Sequence, residues 1–112
     1  MDTISIYRGD DKDFTLIFKT NGVPVNITGW KIYFTVKRSK DDIYDVAIIK
    51  KDWTTHSDPT NGKSTFSLTN TETEILPAMY VSDFQVKKSD GKIRTLKVLP
   101  FEVHTDITRR KI

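Results

Sequence analysis

Short runs of alternating apolar and polar residues, separated by turn dipeptides, fill this chain from Ile4 to Ile107. In the clearest run, from Trp30 to Val36, every second residue is large and apolar. A period of two places successive side chains on opposite faces of a β-strand. Because the run can bury one face and expose the other, the pattern predicts strands and an all-β fold.

Seven or eight strands are predicted, with hairpin turns expected at Asn21-Gly22 and Asp90-Gly91. One segment departs from the period of two. Thr71 and Glu74 have the spacing of a helix capping box, and Pro77 follows soon after. We therefore expect one short helical turn at residues 71–76. The predicted strands cover residues 3–7, 14–19, 23–29, 30–37, 46–53, 64–69, 78–86 and 93–107.

The spacing Ala78-x-Tyr80-x-Ser82 resembles the tyrosine corner of immunoglobulin-like domains. In that corner a tyrosine hydroxyl bonds to backbone a few residues upstream. Trp30 would then be the core tryptophan, and Trp53, at the end of a strand, is expected to matter less to stability. The pattern predicts an immunoglobulin-like antiparallel β-sandwich, with a generic sandwich as the alternative.

The charge distribution argues against nucleic-acid binding. Of the 18 basic residues, Arg109, Arg110 and Lys111 lie at the C-terminus, and the remaining 15 balance 15 acidic residues. Nucleic-acid-binding domains usually concentrate basic residues on one folded face. We expect one domain at residues 1–108, followed by a basic tail at 109–112.

Composition also excludes several classes of chemistry. The chain has no cysteine, so disulfides, thiolate metal sites and cysteine nucleophiles are excluded. The longest fully apolar run is the four residues 46–49, so no membrane insertion is expected. The N-terminus lacks a basic region followed by an apolar stretch, so no signal peptide is expected.

Two N-terminal motifs have simpler explanations than ligand binding. Asp10, Asp11 and Asp13 are close enough in sequence to suggest calcium, but Lys12 interrupts them and no completing glutamate follows. The tripeptide Arg8-Gly9-Asp10 matches an integrin motif, yet three residues match by chance and Gly-Asp favours a turn. We expect neither a metal site nor an integrin site.

Catalytic residues are not evident. His56 falls in a polar loop and His104 on a late strand, and neither has a nearby serine or cysteine nucleophile in a recognisable motif. Both are interpreted as surface or half-buried side chains. The sequence therefore predicts no enzyme activity, no cofactor and no small-molecule ligand.

Three segments of the chain are considered together. They are residues 7–10 (Tyr7-Arg8-Gly9-Asp10) entering strand 14–18, residues 22–30 leading into strand 31–37, and residues 80–86 followed by Asp90-Gly91 and Asp106-Ile107-Thr108. In this order they resemble the N-terminal domain of phage baseplate upper proteins and its relatives in phage and prophage tail genes. This resemblance implies an immunoglobulin-like module without catalytic residues, which attaches receptor-binding or fibre components to the virion.

The resulting hypothesis is a non-enzymatic structural protein of the virion, assembled in the bacterial cytoplasm. Its expected partners are other tail or baseplate proteins, or further copies of itself. Residues 23–29 and the loop at 54–63 are the candidate docking surfaces, because exposed strand edges can accept a neighbour's strand. The alternatives are a carbohydrate-binding module, with Tyr33, Tyr44 or Trp53 stacking on sugars, and an immunoglobulin-like adhesin fragment.

Overall fold

Nine strands and one short 3₁₀ helix form within residues 3–38 and 48–105, the parts of the chain that the computed structural model describes. Seven of these strands have four or more residues, and the other two form a two-residue ribbon. The elements are β1 (Ile4–Tyr7), β2 (Lys12–Ile17), β3 (Lys19–Thr20), β4 (Val23–Pro24), β5 (Lys31–Lys37), β6 (Ile49–Trp53), the 3₁₀ helix (Pro59–Asn61), β7 (Lys63–Leu68), β8 (Ala78–Lys87) and β9 (Ile93–His104).

The strands form one large sheet, one pair and one ribbon. The five-stranded sheet has the order β1-β9-β8-β5-β6, β2 pairs with β7, and β3 pairs with β4. All pairs of strands are antiparallel except β1 and β9, in which Ile4 aligns with Phe101 and Ile6 with Val103. The all-β prediction is confirmed, but the sheet is mixed. A parallel pair needs a long crossover, and here nearly the whole chain supplies it.

Aromatic side chains join the two layers of the sandwich. Phe66 of β7 lies with its ring centroid 5.1 Å from Phe34 and 5.8 Å from Phe84 of the large sheet. The rings of Phe14 and Trp53 stack on Phe66 at 5.0 and 4.8 Å. Offset and edge-on aromatic pairs at these distances stabilise a core beyond their buried area. Phe66 is therefore the central contact between the sheets.

The tyrosine corner forms as the sequence spacing predicts. The hydroxyl of Tyr80 donates to the carbonyl oxygen of Leu76 over 2.5 Å, four residues upstream. Ser82 stands on the same buried face and donates to the carbonyl oxygen of Leu99 over 3.0 Å. Since Leu99 lies on β9, this second bond ties neighbouring strands together inside the core.

The short helical turn lies elsewhere than predicted. Residues 71–76 form turns without a helix, and the 3₁₀ helix is at Pro59–Asn61. A capping-box exchange does form, but between Thr69 and Glu72: each backbone N–H donates to the other side chain, over 2.9 and 3.3 Å. Glu72 also accepts from Lys51 of β6 over 2.9 Å. Glu72 therefore takes the capping position expected for Glu74, and its ion pair with Lys51 holds its side chain there.

Trp30 is not the core tryptophan that its alternation suggests. It immediately precedes β5, whose pairing with β8 begins at Lys31 opposite Lys87. Its indole is therefore on the inner face but at the end of the sheet, where it is only half-buried. Trp53 is half-buried as well and stacks on Phe66, so burial does not distinguish the two tryptophans. The expected difference in their contribution to stability stays a prediction.

Candidate docking groove

A groove of about 600 Å³ opens between the layers, on the side where β2 and β9 face each other. We call it the docking groove and define it by its lining residues. None of the fourteen is acidic, and four are basic. They are Thr15, Leu16, Ile17, Phe18, Lys19, Thr20, Val25, Trp30, Phe84, Lys88, Arg94, Leu96, Lys97 and Leu99.

One wall of the groove is built around Gly62. The carbonyl oxygen of Gly62 accepts from the Phe18 N–H over 2.8 Å, and the Phe18 carbonyl accepts from the Val25 N–H over 3.0 Å. Gly62 has a φ of +72°, and a Cβ there would lie 2.5 Å from the Phe18 oxygen. Only glycine suits both the left-handed backbone and this close approach. The turn after the 3₁₀ helix thereby fixes Phe18 and Val25 beside each other.

The opposite wall is β9, which contains a bulge. Phe84 pairs with Lys97 and Gln85 with Thr95, so Leu96 has no partner on β8. Arg94 lies opposite Val86 of β8, and Lys97 lies opposite Phe84. Because Val86 and Phe84 belong to the core, both cationic residues are on the inner face of the sheet. A bulge bends its strand and redirects side chains. Long cationic side chains therefore occupy groove positions where a closed core would have apolar ones.

Trp30 closes one end of the groove. Its ring meets Phe18 edge-on at 5.9 Å, and the Lys88 ammonium lies 5.5 Å from its centroid. The carbonyl oxygen of Trp30 is 2.8 Å from Nε2 of His56. A cation over an indole face is attracted by the ring quadrupole. Trp30 thus presents a fixed aromatic surface next to a positive charge.

Among the described residues, the outer edge of β9 has a strand partner only near its C-terminal end. β1 pairs with β9 only at residues 101–104, and within the described part of the chain no strand pairs with the outer edge at residues 93–99. Exposed apolar side chains flank this edge: Ile93 is 63% exposed and Val98 is 52% exposed, while Ile17 across the groove is 57% exposed. Unpaired backbone and apolar surface therefore coincide.

The N-terminal motifs, at which no ligand site is expected, make structural contacts. Asp11 accepts the backbone N–H of Asn70 over 2.6 Å, and Asp13 accepts the Ser67 hydroxyl over 2.5 Å. Arg8 lies 3.6 Å from Glu74 and its side chain is only 16% exposed. These contacts attach the β1–β2 turn to β7 and the segment after it. In the described residues, no three carboxylates or histidines converge as metal ligands.

The two histidines are separate, and His56 has a serine partner that sequence reasoning missed. Nδ1 of His56 lies 2.9 Å from Oγ of Ser64, which also accepts from Nε1 of Trp53 over 2.8 Å. Ser64 is fully buried. The hydrogen bond between His56 and Ser64 connects the loop after β6 to β7. In the sequence, only the alternation of β7 indicates that the Ser64 side chain points inward. His104 instead packs its ring 5.4 Å from Tyr7.

The two segments proposed from sequence as docking surfaces contact each other. The N–H of Ile27, which is fully buried, donates to the Pro59 carbonyl over 2.9 Å. The two segments therefore share an internal contact at Ile27, although five of the seven residues at 23–29 are exposed. Of the residues suggested for sugar stacking, Trp53 is engaged with Phe66 and Ser64. Tyr44 lies outside the described residues.

The strands and the groove define a β-sandwich domain with an open groove between its layers. The profile of the family described as the BppU N-terminal domain matches residues 1–112, and the chain belongs to this family. These are the N-terminal domains of baseplate upper proteins, so the chain is a phage baseplate structural domain, and the resemblance noted in the sequence is confirmed.

A solved structure supports the fold alone. The chain is similar to CopC from Methylosinus trichosporium OB3b, with 18% identity, a TM-score of 0.51, and coverage of 96% of this chain and 89% of that one. No curated protein matches the sequence. Within the described residues, the structure contains no helix with the length and apolar character needed to cross a membrane.

Proposed function

We propose that this chain is a non-enzymatic attachment module, which docks other subunits of the phage tail or baseplate through one face of its sandwich. The observation that carries the proposal is the unpaired edge of β9 beside the docking groove. An exposed edge next to a hydrophobic groove is a common way to recognise an extended partner. Membership of a baseplate family supplies the class of partner.

The polar side chains of the domain support a structural role. His56, Asp11, Asp13 and Glu72 all make hydrogen bonds within the sandwich. Such bonds fix the loops around a preformed surface, and a rigid surface loses little entropy when it binds. The proposed site of action is the virion, after assembly in the bacterial cytoplasm.

Co-expression with the products of neighbouring tail genes tests the proposal. Light scattering after size-exclusion chromatography should show a stable complex of defined mass that contains this chain. A chain that ignores those products and binds a glycan array with micromolar affinity would favour a carbohydrate-binding module.

A further inference from the structure

We infer that the partner inserts an extended segment that pairs with β9 along residues 93–99 and fills the docking groove with both apolar and acidic side chains on its groove-facing side. This inference rests on the proposed docking function and adds the conformation and chemistry of the partner. Three independent features of the structure support it: the backbone edge, the apolar lining and the charge.

The backbone edge is suited to a strand. β1 covers the same edge of β9 at residues 101–104, so an added strand would continue the sheet in line with β1. Residues 93–99 are long enough for a strand of roughly 20 Å. Main-chain hydrogen bonds along such an edge give affinity, and side-chain pockets give specificity. A compact small molecule would leave most of these backbone groups unpaired.

The lining of the groove selects apolar side chains. Phe84 and Leu99 are 6% and 7% exposed, and the half-buried rings of Phe18 and Trp30 stand beside them. Every second residue of a strand added to β9 would face this surface. Apolar side chains at some of those positions would bury it and extend the core between β2 and β9. The other groove-facing positions can then carry acidic side chains that reach the cations of the same groove.

The charge of the groove selects an acidic partner. Lys19, Lys88 and Arg94 line it without an ion pair to any described residue, and no acidic residue lines it. A second copy fits poorly, because antiparallel pairing of two β9 edges would bring both Arg94 side chains into one short ladder, where like charges are destabilising. Acidic side chains would neutralise these cations instead.

Bulges and inward cations can also protect a strand edge from aggregation. That alternative makes a different prediction for the loss of the charges. If Lys88 and Arg94 only protect the edge, their replacement should cause self-association. If they bind a partner, their replacement should leave a monomer that no longer docks.

A defined peptide provides the first test. The probe is a blocked seven-residue peptide, Val-Thr-Glu-Thr-Val-Thr-Glu, which presents valine and glutamate on the same face of a strand. Its control has lysine for glutamate. In a Trp53→Phe variant, Trp30 fluorescence should respond saturably to the acidic peptide, at least tenfold more weakly to the basic one, and less as salt increases. Amide shifts of unaltered protein provide a second measurement, expected at residues 93–99. Equal responses to both peptides, or none, would overturn the inference.

Charge reversal in the complex separates the inference from the proposed function. The double variant Lys88→Glu with Arg94→Glu is compared with Lys12→Glu with Lys63→Glu, two exposed lysines that do not line the groove. The groove variant should bind the tail subunit at least tenfold more weakly, and the control should bind as the unaltered chain does. Equal binding by both variants would overturn the inference but leave the proposed docking function intact. Aggregation of the groove variant would also overturn the inference, because the two cations would then only protect the strand edge. If the unaltered chain forms no complex, the proposed function itself fails.

Discussion

Nδ1 of His56 and Oγ of Ser64 are joined by a 2.9 Å hydrogen bond inside the loop that supports the groove. Because Nε2 of His56 faces the Trp30 carbonyl oxygen at 2.8 Å, it must carry the ring proton and donate. When Nδ1 carries no proton, it accepts from the Ser64 hydroxyl, whose oxygen accepts from Trp53. One buried serine therefore connects both tryptophans.

Replacement of Ser64 by alanine should cost about 2–3 kcal/mol of unfolding free energy. The change leaves the Trp53 N–H and the His56 Nδ1 without partners, and a buried group that loses its partner carries its full desolvation cost. Urea titrations would measure the loss. Thr65→Ala, at the neighbouring exposed position, is the control and should cost much less. Equal losses would contradict the assigned network.

Removal of the Tyr80 hydroxyl should destabilise the tyrosine corner. Tyr80→Phe keeps the buried ring but loses the 2.5 Å bond to the Leu76 carbonyl oxygen, and we expect a loss of about 1–2 kcal/mol. Tyr7→Phe is the matched control, because Tyr7 is 56% exposed. If both variants unfold at the same urea concentration as the unaltered chain, the corner contributes nothing to stability.

Glu72 should make stability depend on pH. Burial raises its pKa, but hydrogen bonds from Thr69 and Lys51 outweigh burial and lower the pKa below the ordinary value of 4.5. Its contribution is therefore complete above pH 4.5 and is lost as the pH falls through the lower, folded value. Glu72→Gln should cost about 1 kcal/mol at pH 7. In urea titrations from pH 3 to 7, a deficit independent of pH would contradict this origin.

Asp83 should have the opposite effect. Burial raises its pKa above the ordinary value of 3.8, despite the opposing charge of Lys37. The ionised carboxylate is thus less stable in the folded than in the unfolded chain, and the penalty develops as the pH rises from 3.8 through the raised value. Asp83→Asn should therefore increase the melting temperature at pH 7 but not at pH 3. A decrease at pH 7 would contradict the assignment.

Substitution of Gly62 tests the close backbone packing in the wall of the groove. Gly62→Ala combines a left-handed backbone with a clash against the Phe18 and Val25 oxygens, so it should cost more than about 2 kcal/mol. Gly91→Ala is the matched control: its φ is +89°, but nothing lies within 4 Å of the added Cβ, and the cost should be about 1 kcal/mol. Thermal melts would compare the stabilities of the two variants. Equal losses of stability would show that the structure relieves the clash at residue 62.

Structural features that depend only on residues close together in the sequence could be predicted from it. The alternation in β5 correctly gives the buried Ile32, Phe34 and Val36, and the spacing around Tyr80 correctly gives its corner. Predictions from local residue spacing are wrong where contacts with residues distant in sequence determine the structure. Glu72 bonds to Lys51 on a distant strand, whereas Glu74 lies beside Arg8. Trp30 follows the alternation of β5 but lies just before that strand, at the end of the sheet.

The docking groove was not predicted for a related reason. Its existence depends on where β1 stops along β9 and on the bulge at Leu96, and both follow from pairing between distant segments. Ile93 and Val98 lie in the predicted strand at 93–107, and alternation alone does not show that both side chains are exposed. The basic residues that line the groove come from three separate segments, so no local run of charge marks them.

Hydrogen exchange on the complex tests docking at β9 most directly. Amides at residues 93–99 should exchange more slowly when the tail subunit is bound, because a paired edge protects its N–H groups. Those of β6 (Ile49–Trp53), the opposite edge of the same sheet, should not change. Slower exchange along β6 with unchanged exchange at residues 93–99 would contradict this account.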